Sequence, residues 1–184
     1  MGARLFTSDL HIGHDFVARL RGFESTSEHD QHIADTWAST VTKRDTVFVL
    51  GDLTAQGRPD PALELIKSLP GSKHFVSGNH DPVHPMHKGS WKDMDKYLDA
   101  FVSVNPFMKI RLIDQSIAYL SHFPYMGDLS DADRTEIRFE QWRLPNLGER
   151  LIHGHTHIAE QRFHNGQLHV GWDAWGELVP QGVV

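Results

Sequence analysis

Residues 4–14 read Arg-Leu-Phe-Thr-Ser-Asp-Leu-His-Ile-Gly-His, a short apolar strand at 5–8 that runs straight into Asp9-x-His11. In an extended segment, side chains two apart project to one side, so the acid and the imidazole would face one point, as two ligands to one ion must. Working outward, the same pairing of apolar run and metal-capable loop returns along most of the chain. Residues 46–50 lead into Gly51-Asp52, 73–77 into Gly78-Asn79-His80-Asp81, 117–121 into His122, and 150–153 into Gly154-His155-Thr156-His157. Taken singly, each loop is an ordinary turn: Asp52 a solvated aspartate, Asn79 a left-handed turn residue, His122 a strand-end histidine. Taken jointly, Asp9, His11, Asp52, Asn79, His122, His155 and His157 offer seven oxygen or nitrogen donors. That is about what two divalent ions need when one group is shared, and Asp52 is the candidate bridge.

These strands alternate with helical stretches, which predicts an α/β layout with the chemistry on the loops that follow strands. Residues 27–41 read as a helix opened by Ser27-x-x-Asp30, with Ile33, Ala34, Trp37 and Val41 on one face. Residues 61–69 and 91–101 are further helices, the second turning Trp91, Met94, Leu98 and Phe101 inward. After Phe101 the pattern becomes strand-rich, through 108–113, 117–121, 160–164 and 167–171. His153, His164 and His169 fall on these strands and read as structural.

In this order, D-x-H, G-D, G-N-H-D, a lone H and G-H-x-H resemble the calcineurin-like metallophosphoesterase superfamily. The stretches SDLHIGH at 8–14, SHFPY at 121–125 and HVGWDAWG at 169–176 look like its small bacterial and phage members. The resemblance spans roughly residues 5–179. It implies a four-layer α/β/β/α sandwich and two divalent ions, with manganese as family precedent and iron, zinc, nickel or cobalt equally compatible with sulfur-free ligands. It assigns Asp9, His11, Asp52 and His157 to one ion and Asp52, Asn79, His122 and His155 to the other. A water shared between two such ions becomes a hydroxide nucleophile near neutral pH, with no need of a side-chain nucleophile. His80, beside a ligand, is then the candidate general acid, and Asp81 the carboxylate that would hold its imidazole in orientation. His14, Asn79 and His80 would line the substrate cleft, and Asp173 would support the ligand loops by hydrogen bonding.

Bulk properties fit this expectation. The 184 residues show no linker, repeat or low-complexity tract, so one domain covering 1–184 is expected. The net charge is −6 without a basic stripe, which disfavours tight nonspecific nucleic-acid binding. Zero cysteines exclude disulfides and thiolate ligands. No apolar run is long enough to span a membrane, and the first strand starts too near Met1 for a signal peptide, so a cytoplasmic location is the expectation. Trp172 and Trp175 read as spare aromatics that would support a homodimer. Residues 126–148, rich in both charge signs, are either a lid over the substrate or a solvated connection.

The leading function is a metal-dependent phosphodiesterase for small nucleotides, cyclic ones included, because a diester carries one negative charge and the motifs hold no Arg or Lys clamp for a second. Phosphomonoesterase or protein phosphatase is the alternative. A nuclease is disfavoured by the absence of a basic track. A non-catalytic scaffold predicts missing ligands, and none of the seven is missing.

Overall fold

The computed structural model describes residues 2–54, 59–125, 138–161 and 163–183. In chain order its elements are β1 (Arg4–Thr7), α1 (Asp15–Leu20), α2 (Thr26–Thr40), β2 (Thr46–Val49), α3 (Asp60–Ser68), β3 (Ser72–Val76), α4 (Met94–Ala100) and β4 (Ser103–Asn105). There follow β5 (Phe107–Arg111), β6 (Ile117–Ser121), β7 (Arg150–His153), β8 (Phe163–His164), β9 (Gln167–His169), α5 (Trp172–Trp175) and β10 (Val179–Pro180). The strands form two five-stranded sheets, ordered β10-β1-β2-β3-β4 and β5-β6-β7-β9-β8. The chain passes from one sheet to the other across Pro106, between β4 and β5.

Period-two alternation explains why both faces of the first sheet are covered. Leu5, Val47, Val49 and Phe75 point to one side, where they pack with Ile33 and Trp37 of α2, Leu63 and Ile66 of α3, and Tyr97 of α4. Phe6, Phe48, Leu50 and Val76 point to the other, against Ala118, Leu120, Ile152 and Leu168 of the second sheet. Within that inter-sheet layer the Phe6 and Phe48 rings stack, centroids 5.4 Å apart. This is the α/β layout that the alternation of strands and helices led us to expect, with the two facing sheets that the resemblance implied.

Local differences from the sequence reading have identifiable causes. The capping residue of α2 is Ser25, whose hydroxyl accepts from Glu28 N (3.2 Å), while Glu28 Oε2 accepts from Glu24 N (3.0 Å). Thus Ser25-x-x-Glu28, two residues earlier than Ser27-x-x-Asp30, closes the helix end. A 3-10 turn at Ser90–Asp93 precedes α4 and rotates its face. Tyr97, Ala100 and Phe101 are therefore inward, with Tyr97 and Phe101 centroids 5.1 and 4.8 Å from Phe75. Trp91 and Leu98, expected inside, are 73% and 48% exposed. Trp172 is buried in the core, and Trp175 packs under the second sheet with its Nε1 donating to His169 O (2.8 Å), so neither is spare. Among the described residues of the expected 160–164 strand, Phe163–His164 pair with β9.

The cap assignment has a direct test. Ser25→Ala should cost about 1 kcal/mol of unfolding free energy in urea, and Ser27→Ala, on the exposed face of the same turn, under about 0.5 kcal/mol.

Candidate metal centre

Strands β1, β2 and β3 run parallel, as do β6, β7 and β9 in the second sheet, so each sheet presents its strand ends at one edge. The two edges are tied into one seam. Trp172 N donates to Ser8 O (2.9 Å), His122 Nδ1 lies 2.8 Å from Leu50 O, and His155 N donates to Asp9 Oδ2 (3.0 Å). At this seam Asp9, His11, Asp52 and His157 each bring one ligand atom within 4.8 Å of the others. The remaining three candidates continue outward from Asp52. His122 Nε2 lies 3.4 Å from Asp52 Oδ2 and 3.1 Å from Asn79 Oδ1, and His155 Nδ1 lies 3.3 Å from His122 Nε2.

The backbone that delivers these side chains is turned rather than extended. Asp9, His11, Asp52, His155 and His157 all have positive φ, between 50° and 72°, whereas Asn79, read as the left-handed turn residue, does not. An extended Asp9-x-His11 would form a ladder; instead the loop bends, with Asp9 N, His11 N and Ile12 N donating to Gly51 O, Asp52 O and Leu53 O (2.9–3.1 Å). Each left-handed non-glycine costs roughly 1 kcal/mol or more, so these turns persist only because both sheets fix their ends. Space at the seam is equally tight. A Cβ at Gly154 would fall on the Ser8 hydroxyl and 2.5 Å from Asp9 Oδ2, and one at Gly78 would fall on Asp52 Oδ1.

The imidazoles are oriented for ligation. His122 Nδ1 faces the Leu50 carbonyl, which can only accept, so Nδ1 carries the hydrogen and Nε2 is the atom aimed at Asp52 and Asn79. His157 Nδ1 lies 2.7 Å from Asp173 Oδ2, which turns its Nε2 toward His11 Nε2 (3.2 Å) and Asp9 Oδ1 (3.6 Å). Ring nitrogens converging with carboxylates in this way match the N/O donor set of a divalent ion, so the residues fit the metals that the sequence pattern implies.

Behind Asp173 stands Arg21, a residue the sequence reading did not single out. Its Nε and Nη2 donate to Asp173 Oδ1 (2.9 Å) and Oδ2 (3.1 Å), and the same guanidinium donates to Leu10 O (3.0 Å) and Asp9 O (2.7 Å). Arg21 thus links the Asp9 loop near one end of the chain to the His157 loop near the other. Nothing local in Arg-Leu-Arg-Gly marks it, because its partners are Asp173, 152 residues away, backbone carbonyls of Asp9 and Leu10, and the His29 ring (2.9 Å) on α2.

Asp81 differs from expectation. Its oxygens accept from Gly78 N (2.6 Å), Asp52 N (2.9 Å) and Leu53 N (3.1 Å), fully buried, rather than from the His80 ring. It braces the Gly51-Asp52 loop against the Gly78-Asn79 loop. His80 instead has a buried Nδ1 with no hydrogen-bond partner among the described residues and an Nε2 3.9 Å from Asp52 Oδ2. His14 caps α1, accepting from Val17 N (3.4 Å), and its ring stands edge-on to His11 at 5.8 Å. His153 and His169 lie buried together behind the site, 5.5 Å between centroids, while His164 is exposed.

Burial sets most of the charge states. It lowers His11 to about 4, His84 to about 4 and His155 to about 2, keeping these rings neutral. Burial would lower His122 too, but the facing Asp52 carboxylate pushes it up to about 9, and the same contact, against the desolvation that raises it, holds Asp52 below the usual carboxylate range. Burial and then the Asp52 charge push Asp81 up to about 7, with the Gly78 and Asp52 amides pulling the other way. Part of 126–148 lies outside the described residues. Of the rest, Phe139, at φ 60°, packs 5.4 Å from His155 and 5.3 Å from Phe123, and Arg143 is buried close enough to His155 to help keep that ring neutral.

The family model described as calcineurin-like phosphoesterase matches residues 4–124. The chain is 41% identical over 186 residues to the Gene 66 protein of Mycobacterium phage L5, covering 95% of this chain and 88% of that one. It is 39% identical to the Gene 66 protein of Mycobacterium phage D29, covering 97% and 92%. Among solved structures, the protein of unknown function AQ665 from Aquifex aeolicus superposes with a TM-score of 0.69 at 23% identity, over 100% of this chain and 97% of that one, which speaks to fold. The chain belongs to the calcineurin-like phosphoesterase family. No helix among the described residues is long and apolar enough to cross a membrane.

Two substitutions test this scaffold. Asp173→Asn should weaken divalent-metal binding by about 10- to 100-fold, read by calorimetric titration, because His157 loses its anionic partner. Asp81→Asn cannot accept from all three amides and should cost about 1–3 kcal/mol of stability in urea.

Proposed function

We propose that this chain is a phosphodiesterase for small nucleotides, cyclic ones included, that works with two divalent ions, manganese foremost. The observation that carries the reading is the convergence of Asp9, His11, Asp52 and His157 within 4.8 Å, continued through Asp52 to His122, Asn79 and His155. Divalent ions held there supply activation of water and neutralisation of phosphoryl charge. Asp52, shared between the two groups of donors, is the bridging ligand of the proposal.

The chain's own contribution is position and a proton. His80 sits at the open side of the cluster, half-buried, its Nε2 near Asp52 and its backbone N donating to Asp52 Oδ1 (2.9 Å). In the proposed role it gives its proton to the departing alkoxide. The diester preference is supported by the motif loops themselves, since residues 8–14, 51–54, 77–81, 121–125 and 153–157 contain no Arg or Lys to hold the second charge of a monoester. Asn79 and His14 flank His80 and complete the substrate-facing wall.

Metal-stripped protein, reloaded with Mn²⁺, should hydrolyse bis(p-nitrophenyl) phosphate faster than p-nitrophenyl phosphate. The reverse ranking would assign a monoesterase, and inactivity on both with metal bound would end the catalytic reading. His80→Ala should lower kcat by ~10² to 10⁴ with metal content unchanged. Asp52→Asn should weaken both ions together, and two intact sites in a titration would remove its bridging role.

A further inference from the structure

Beside the histidine cluster, between the start of α1, α2 and α3, lies an open cavity of about 580 Å³. Its volume falls in the range of small-molecule sites. His14 forms the wall it shares with the cluster, the ring standing 5.8 Å from that of His11, and Ile12 follows His11 directly in sequence.

The lining has a definite chemical character. Phe16 is 68% exposed at the rim, its centroid 6.4 Å from that of His14, while α1 turns Val17 and Ala18 inward for the core. An aromatic face that the fold does not use is thereby presented to the cavity. Ile12 and Leu65 supply aliphatic surface beside it. The charged groups of the described lining are two carboxylates, Asp15, which is paired with Arg19 (3.0 Å), and Asp30. Asp30 accepts from Gly13 N (3.0 Å to each oxygen) and lies 2.9 Å from His29 Nδ1, which leaves lone pairs for further donors. Such a cavity repels an anion and suits a flat ring bearing N–H groups.

We propose that this cavity receives the nucleoside part of the diester, an amino-bearing aromatic base lying against Phe16, with the phosphate at the histidine cluster. The proposal rests on the phosphodiester reading and adds to it the place where the nucleoside base binds and the kind of base it admits. It explains why the wall between cavity and cluster is His14, a polar residue able to face the sugar on one side and His11 on the other.

Two variants test it. Phe16→Ala alters an exposed side chain, and Leu65→Trp fills the cavity from α3. Adenosine, titrated calorimetrically into Mn²⁺-loaded protein, should bind on the order of tenfold more weakly to Phe16→Ala and not measurably to Leu65→Trp. The kcat/KM ratio of adenosine 5′-(p-nitrophenyl phosphate) to methyl p-nitrophenyl phosphate should fall by a similar factor in both variants. Equal adenosine binding by all three proteins, or no binding by the unaltered protein together with a ratio near one, overturns the proposal. Loss of adenosine binding in the variants without turnover of either diester supports the cavity and overturns the phosphodiesterase reading instead.

Discussion

The close contact of two sheet edges is the constraint from which the rest follows. Gly78 and Gly154 lie where a side chain would collide with Asp52, Ser8 or Asp9, so the loops after β1, β2, β3 and β7 are pressed into one seam. Five residues there, Asp9, His11, Asp52, His155 and His157, hold left-handed backbone. At roughly 1 kcal/mol or more apiece, their combined cost approaches the whole net stability of an ordinary domain, about 5–15 kcal/mol. Local preference does not choose that geometry. The inter-sheet layer of Phe6, Phe48, Leu50, Leu120 and Ile152 imposes it, so packing energy is converted into fixed donor positions.

Hydrogen bonding then removes the freedom that packing leaves. Asp81 ties three amides of two loops to one buried carboxylate, and Arg21 ties Asp9 and Leu10 carbonyls to Asp173 and so to His157. Buried charges of this kind contribute little net stability when paired and cost much when a partner is lost. Their value is in specifying one arrangement: a candidate ligand from each end of the polypeptide is held in register through a single guanidinium.

How legible this was depends on the range of the signal. The strands leading into each motif and the face of α2 follow from local periodicity and came through, and the donors that composition and order pick out lie near one another, four of them within 4.8 Å. What sequence could not supply were features decided by distant partners. Asp9-x-His11 looks extended because alternation is the default for two residues after a strand, and only the Gly51–Leu53 backbone that accepts its amides bends it. Asp81 stands next to His80 in sequence, yet it accepts from backbone amides, Gly78 N in its own loop and Asp52 N and Leu53 N in another. The α4 face was misplaced because a 3-10 turn, invisible in an apolar pattern, shifts the phase between Trp91 and Tyr97.

Electrostatics closes the argument from the donor set alone. Asp9 and Asp52 face the cluster, Asp81 lies directly beneath it, and burial keeps His11 and His155 neutral. The positive charge nearest them is engaged elsewhere: Arg21 is ion-paired with Asp173, and the raised His122 shares its proton with Asp52. With Arg143, close to His155, the further cation nearby, a phosphate ester approaching these side chains by themselves meets mainly carboxylates and neutral imidazoles, in a protein whose net charge is already −6. The same carboxylates and neutral imidazoles are what divalent cations seek, and cations seated among them reverse the sign of the local field. In the proposed reading, affinity for metal and affinity for phosphate would therefore be one property of this seam, taken in sequence, and the cavity beside it would take the part of the substrate that carries no charge.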